Sequence, residues 1–347
     1  MKVVHFVPTL SIGGIESMSL RLLQHKSRSL KYSVVYFSGF DEELLSTVPP
    51  NDRYGLTVFQ QTWFVARFYC LIKLIKNLSS EDIVILSTWR SQSILFLLKL
   101  LRKKNRIVAF HHRTYPAHFL DKVSRNLFYK FVEFNFCDSQ AAHDQLPENI
   151  FRTVVRPFFQ AQSTKRLRFY NRFCIVGRIH EHRNLPRALK FFYELLLLMP
   201  DISLDIIGPD AGAMPEIKKS IDDLGLSDHI KIIDQLSPFE VLSVYHNYDF
   251  LISTPLSEGM GMSIAEAMSA GVIPIVGPFG EPAEYCSNGC GFILPSYEDD
   301  DLQSMAAMVA THRSSNLLSI MTSRVSVLTD TIETCPVSLE SELLKIL

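Results

Sequence analysis

The chain has 347 residues, 47% of them hydrophobic and 20% charged. That is enough for two domains of ordinary size, and it excludes a disordered, repetitive or collagen-like polymer. The net charge of −1 conceals a split: residues 1–168 hold 24 Lys/Arg against 12 Asp/Glu, whereas residues 169–347 hold 11 against 24. Two bodies with different electrostatic duties are expected, the basic one facing something anionic.

The longest apolar runs, around Leu98 and Leu196, are broken by Lys99 and Glu194 and are too short to cross a bilayer. The start, MKVVHFVP, lacks the long apolar segment and cleavage site of a signal peptide. Six cysteines (Cys70, Cys137, Cys174, Cys286, Cys290, Cys335) are scattered, and no His or Cys pair stands near Cys286 and Cys290 to complete a zinc site. Reduced thiols in a cytoplasmic protein are expected.

In chain order, KVVHFVP (2–8), YSVVYF (32–37), DIVILS (82–87) and RIVAFH (106–111) read as buried strands, with helical stretches at about 15–26, 63–77 and 91–103. The scheme repeats in RFCIVG (172–177), LDIIG (204–208), IKIID (230–234), DFLIST (249–254) and VIPIVG (272–277). Two alternating series predict two doubly wound α/β domains with parallel sheets, residues 1–165 and 170–325, joined near QAQSTKRLRFYN (160–171). The last segment, 326–347, is expected to be helical and to pack back on the first domain. Ligands of such sheets bind at the carboxyl ends of strands, and the features below fall there.

Gly13 and Gly14 end the first strand and open a helix; they let the backbone approach a ligand, or simply make a tight turn. The dinucleotide pattern G-x-G-x-x-G is not met. His111 and His112 end the RIVAF strand, and His111, next to the last buried position, is the better candidate to point into a cleft. Arg178 follows a strand and Arg183 precedes a helix, so two guanidiniums could grip a diphosphate with paired hydrogen bonds. The alternative is two surface arginines, since His180, Glu181 and His182 between them look solvated. In SEGMGMSIAEAMSAG (257–271), a helix starting near Gly261 or Met262 would aim the free N–H groups of Gly259, Met260, Gly261 and Met262 at an anion or hydroxyl. Glu258 precedes that helix and Glu266 lies one to two turns into it, among apolar neighbours. A buried carboxylate needs a reward, and sugar hydroxyls supply about 1.5–3 kcal/mol each. The combination describes a nucleotide diphosphate sugar; the alternative is a loop residue and a buried ion pair. The acidic run Glu298–Asp301 contains D-x-D but opens a helix, where acidic residues answer the macrodipole rather than a metal.

With these residues in hand, GGIE, GRIHEHRN, SEGMGMSIAEAMSAGVIPIVGPFGEPAEY and NGCGFILP together resemble glycosyltransferase family 4. The resemblance runs over nearly the whole chain and is strong over 172–313. It implies the GT-B architecture: two Rossmann-like domains facing across a cleft, and transfer with retention from a nucleotide sugar. It further implies that Glu266 binds the ribose, Glu258 the transferred sugar, and Gly259 to Met262 the sugar and phosphates. Arg178 and Arg183 would neutralise the leaving diphosphate, Gly14 would approach it from the other domain, and His111 would sit beside the donor sugar. Leu236 falls where backbone groups meet the base. The usual lysine of the second basic position is Arg183 here. No metal or other cofactor is expected, the arginines and helix terminus taking the role of a divalent ion.

Stretches 64–78, 97–106 and 121–134 mix Lys/Arg with aromatics and leucines, suiting an anionic bilayer surface or ordinary solvated helices. The expected partners are therefore a nucleotide sugar, a saccharide acceptor carried on polyprenyl diphosphate, and the inner face of a membrane. Rival readings are an epimerase or phosphorylase of the same fold, and a nucleic-acid-binding protein. No lysine of the second half stands out for pyridoxal chemistry, and no nucleic-acid reader module is present.

Overall fold

The computed structural model of the chain describes residues 2–11, 13–24, 30–51, 53–59, 64–112, 131–155, 171–296, 301–313 and 339–345. Its contacts divide it into two units, Met1–Phe158 with Pro336–Leu347, and Phe159–Cys335. Residues 160–170 of the predicted linker 160–171 and most of the stretch 121–134 lie outside the described residues, as do 326–338.

In the first unit, β1 (Lys2–Leu10), β2 (Lys31–Phe40), β3 (Leu56–Val58), β4 (Ile83–Ser87), β5 (Arg106–His111), β6 (Phe134–Cys137) and β7 (Arg152–Val154) form a parallel sheet in the order β3-β2-β1-β4-β5-β6-β7. Its helices are α1 (Gly14–Gln24), α2 (Glu42–Thr47), α3 (Phe64–Lys76), α4 (Gln92–Leu100) and α5 (Gln140–Asp144). The β4 sequence IVILS is buried along its whole length, because a parallel sheet covered on both faces rewards β-branched residues at successive positions. One covering layer packs Ile75 of α3 and Ile94 and Leu98 of α4 on Val4, Phe6, Val84 and Leu86. Each such buried side chain contributes roughly 1.5–3 kcal/mol.

The second unit holds β8 (Arg172–Val176), β9 (Ser203–Ile207), β10 (Ile230–Ile233), β11 (Phe250–Ser253), β12 (Ile273–Val276) and β13 (Phe292–Ile293), all parallel, in the order β10-β9-β8-β11-β12-β13. Helices α6 (Leu185–Leu198), α7 (Met214–Asp223), α8 (Pro238–Val244), α9 (Met262–Ser269), α10 (Gly280–Tyr285) and α11 (Leu302–Arg313) alternate with them. The two-residue period of a strand sorts the core. Phe173, Ile175, Phe250 and Ile252 face α6 and α11, while Cys174 and Leu251 face α9. The helix α9 stops because Gly271 takes φ 76 and Val272 N–H returns to Ala267 O at 2.9 Å, a left-handed cap that suits glycine. Last in the chain, α12 (Leu339–Lys345) belongs to the first unit.

The strand order reverses at β8: β9 and β10 lie on one side of it, β11 to β13 on the other. The helices that follow β8 and β11, α6 and α9, therefore pack on opposite faces of the sheet, and the carboxyl ends of these two strands are where such a sheet binds its ligands. Among the sequence-predicted strands every one forms; β3, β6, β7 and β13 are additional, at two to four residues each too short to show a period.

Candidate functional site

The second unit's site begins where β8 ends. Gly177 takes φ 141, and a β-carbon there would lie 3.3 Å from the guanidinium of Arg183, so the glycine leaves room for that side chain. Arg178 is exposed and pairs with no carboxylate among the described residues. A 3₁₀ turn, Glu181–Arg183, follows, and Asn184 at φ 47 enters α6; Asn is among the few residues that tolerate this region.

Since β8 and β11 are neighbours, the turn meets the loop that leaves β11. Thr254 Oγ1 donates to Asn184 O at 3.0 Å, and Leu256 N–H to His182 O at 2.9 Å. His182 Nε2 donates to Ser257 O at 2.9 Å, and Arg183 Nη1 to Glu258 Oε2 at 3.1 Å. The other Glu258 oxygen accepts from Gly259 N–H at 3.1 Å, so one of the four residues expected to offer amides is already engaged. Behind the loop, Glu281 N–H donates to Gly259 O at 3.0 Å, and a β-carbon on Gly280, which takes φ 69, would overlap the Glu258 and Gly259 carbonyls.

The helix α9 opens at Gly261 with φ 68 and ψ 60. Ile264 and Ala265 N–H groups both reach Gly261 O, so those of Met262 and Ser263 have no acceptor within the helix and form its positive end. Met260 is buried and Met262 half-buried, both in the apolar cluster that also carries Leu236. Glu266 is buried, on the fifth position of α9. One pocket at the ends of β11 and β12 is lined by Ser253, Pro255, Glu258, Ile264, Val276, Gly277, Phe279 and Pro282. The structure thus brings Arg183, Glu258, Gly259 and the start of α9 together in the second unit.

Gly13, Gly14 and His111 lie in the first unit, at the carboxyl ends of β1 and β5. A side chain on Gly13 would run into the Glu16 carboxylate. His111 Nε2 contacts Asn135 Oδ1 at 3.1 Å. Its neighbour His112 is held on both ring nitrogens: Nδ1 by Asp138 Oδ2 at 3.1 Å and Nε2 by Ser87 Oγ at 3.0 Å. Ser87 Oγ also meets His5 Nε2 at 2.6 Å, and His5 Nδ1 meets the Tyr32 hydroxyl. A carboxylate only accepts, so His112 Nδ1 carries its proton; with a neutral ring, Nε2 accepts from Ser87, Ser87 from His5, and His5 from Tyr32. These hydrogen bonds run from β2, β1 and β4 to the residues that directly follow β5 and β6, five neighbours in the sheet. Burial, reinforced by His112, pushes the His5 pKa down to about 3.

Several participants carried no local signal. His182 is solvent-exposed, as its neighbourhood in the sequence indicates, yet it is tied to Ser257, 75 residues on. Glu281 is a buried carboxylate within a segment otherwise noted only for its family pattern. Of the acidic run, residues 298–300 lie outside the described residues; Asp301 accepts from Ser304 N–H at the start of α11, which holds its carboxyl below the usual range. No three His, Cys, Asp or Glu among the described residues gather as metal ligands, and no described helix is long and apolar enough to cross a membrane.

Residues 159–311 match the family model for Glycosyl transferases group 1. The UDP-N-acetylglucosamine–peptide N-acetylglucosaminyltransferase GtfA subunit of Streptococcus agalactiae is 23% identical over 139 residues, 39% of this chain and 26% of that protein. The GtfA subunit of Streptococcus pneumoniae serotype 4 is 24% identical over 153 residues, 42% of this chain and 29% of that protein. The chain thus spans under a third of these curated relatives. Among solved structures, Anabaena Alr3699/HepE in complex with UDP and glucose superposes with a TM-score of 0.76 at 16% identity, covering 100% of both chains. The lipopolysaccharide outer core galactosyltransferase WaaB does so at 0.66 and 16%, again over 100% of both. The pneumococcal O-GlcNAc transferase GtfA, in complex with UDP and GlcNAc, matches at 0.65 and 16%, over 81% of this chain and 59% of that one. The fold is GT-B.

Proposed function

We propose that this chain, which carries a group 1 glycosyltransferase domain over residues 159–311, moves a sugar from a nucleotide diphosphate sugar to a saccharide acceptor with retention. The observation that carries the reading is the Arg183–Glu258 pair at 3.1 Å beside the open N-terminus of α9. Cationic and N–H donors for phosphate stand next to a carboxylate for sugar hydroxyls, at the point where the strand order reverses.

In this reading Glu266 holds the ribose, Leu236 marks the base, and Glu258 binds the hydroxyls of the transferred sugar. Arg178, Arg183 and the amides from Met260 to Ser263 receive the diphosphate. The bond between the anomeric carbon and the phosphate oxygen breaks with its electron pair going to the phosphate. The acceptor oxygen bonds that carbon on the face the leaving group vacates, and its proton passes to the departing phosphate oxygen. Charge grows on the diphosphate as the bond breaks, so preorganised positive groups stabilise the transition state more than the ground state. No metal is required for that role. His111 orients the donor or assists the proton, and Gly13 and Gly14 allow close approach of a phosphate.

For the acceptor, the reading is a polyprenyl-diphosphate-linked saccharide taken at the cytoplasmic face of a membrane. What supports it is the surface of the first unit. The helix α3 exposes Val65, Phe68 and Tyr69 beside Lys73 and Lys76, and α4 exposes Phe96 and Leu100 beside Lys99. Aromatic and basic side chains so mixed suit anionic headgroups; pure protein that ignores anionic liposomes at low salt would remove this part.

Thermal-shift titration with UDP, GDP and ADP and their hexose derivatives tests the whole reading. UDP comes first, since the HepE and GtfA structures are complexes with it. Stabilisation by one nucleotide sugar, weakened by Glu266→Ala, is the expected result; no stabilisation by any compound counts against the reading.

A further inference from the structure

We infer that His182 is a positioning residue for the sugar-binding carboxylate: the turn after β8 sets where Glu258 stands, and through it how the transferred sugar is recognised apart from the nucleotide. The inference rests on the function proposed above and deepens it.

Four hydrogen bonds tie residues 182–184 to residues 254–258, pairing Asn184 with Thr254, His182 with Leu256 and Ser257, and Arg183 with Glu258. Two of the four belong to His182, one through its carbonyl and one through its ring. The Ser257 carbonyl can only accept, so Nε2 carries the proton; the Ser257 hydroxyl lies 3.3 Å from the same nitrogen. Ser257 precedes Glu258 directly, so this bond fixes the backbone from which the carboxylate projects. Arg183 then holds the far end of that side chain. Loops without such ties sample many conformations, and ordering one on binding costs free energy that preorganisation removes. The ribose and base contacts assigned to Glu266 and Leu236 arise from α9 and from the segment after β10, outside the tie; Arg183, assigned to the diphosphate, lies within it, on a turn that the bond from Leu256 N–H to His182 O still holds when the His182 ring is changed. Losing the His182 ring bond should therefore weaken sugar recognition and leave nucleotide recognition in place.

The test measures dissociation constants of the full chain for UDP, GDP and ADP and for their hexose derivatives, in wild type, His182→Phe, His182→Gln, Glu258→Gln and the His182→Phe/Glu258→Gln double variant. Phenylalanine keeps a planar ring without a donor; glutamine places an amide N–H near the Nε2 position. For the pair that the wild type binds, His182→Phe should raise the ratio of nucleotide-sugar to nucleotide dissociation constants about 5–10-fold, in line with one hydrogen bond. Nucleotide affinity should stay within about twofold, which also certifies the fold of that variant. His182→Gln should restore the ratio, and His182→Phe should add nothing in the Glu258→Gln background. An unchanged ratio, an equal loss for nucleotide and nucleotide sugar, or a full His182→Phe effect without the carboxylate would each overturn the inference and leave the glycosyltransferase reading standing. A wild type that binds none of the compounds overturns both.

Discussion

Arg183 and Glu258 are 75 residues apart in the chain and 3.1 Å apart in the structure. Each is partly exposed, at 32% and 21% of the side chain, so the pair adds at most about 1 kcal/mol to stability. Its place at the strand-order reversal, rather than its energy, makes it the centre of the proposed site.

Replacing Arg183 should therefore damage turnover far more than folding. Arg183→Ala is expected to lower kcat by about 10²–10³-fold, the usual loss on removing one preorganised donor, with an unchanged melting temperature. Arg183→Lys should fall between, because an ammonium keeps the charge and loses the planar fork. Steady-state kinetics with the donor identified by thermal shift decides it; wild-type turnover in the alanine variant would contradict the mechanism.

Gly280 supports the Glu258 loop by having no side chain. At φ 69, with a β-carbon placed 2.7 Å from Gly259 O, alanine must both strain its backbone and push the loop. Gly280→Ala should destabilise the chain by about 1–3 kcal/mol in urea unfolding, and should weaken the nucleotide sugar more than the nucleotide. A neutral effect on both would show that the loop does not lean on this residue.

His5 makes stability depend on pH. Its pKa is lowered from 6.5 to about 3 by burial and by His112. Between those values the unfolded chain binds a proton that the folded chain does not, so stability rises with pH there. This contribution is fully present above the unfolded value and is lost towards acid, by up to about 1.4 kcal/mol per pH unit below pH 6.5. Urea midpoints at pH 7.5, 5.5 and 4.5 should fall steeply in the wild type and less steeply in His5→Gln. Parallel curves would assign the acid loss to other groups.

Turnover should persist when divalent ions are removed, because the positive groups assigned to the diphosphate are Arg178, Arg183 and the helix terminus. Rates with and without EDTA are expected to agree within about twofold, and Arg178→Ala should be inactive in both. Activity lost to EDTA and regained with magnesium would replace this account with a metal-assisted one.

Much of this was legible one residue at a time. Runs such as IVILS and RFCIV announce buried parallel strands because covering both faces of a sheet demands apolar residues at every position. The turn SEGMGMSIAEAM announces a helix start with a carboxylate on either side, and the structure opens α9 at Met262 with Glu266 buried. Short strands stayed hidden for want of a period: RTV of β7 becomes a strand only because Cys137 and its neighbours in β6 offer it an edge.

What the sequence determined by itself was therefore local: which segments are strands, where a helix begins, which charges stand at strand ends. Tertiary structure alone decided the pairings. Sheet order puts β8 beside β11 and so joins His182 to Ser257 and Arg183 to Glu258. It likewise runs β1 beside β4, placing Ser87 against His5 and turning a histidine inside an apolar strand into a link of a buried polar chain. Hydrophobic periodicity reports which face of a segment is buried; it carries no information on which other segment will cover it, and these contacts depend on that choice.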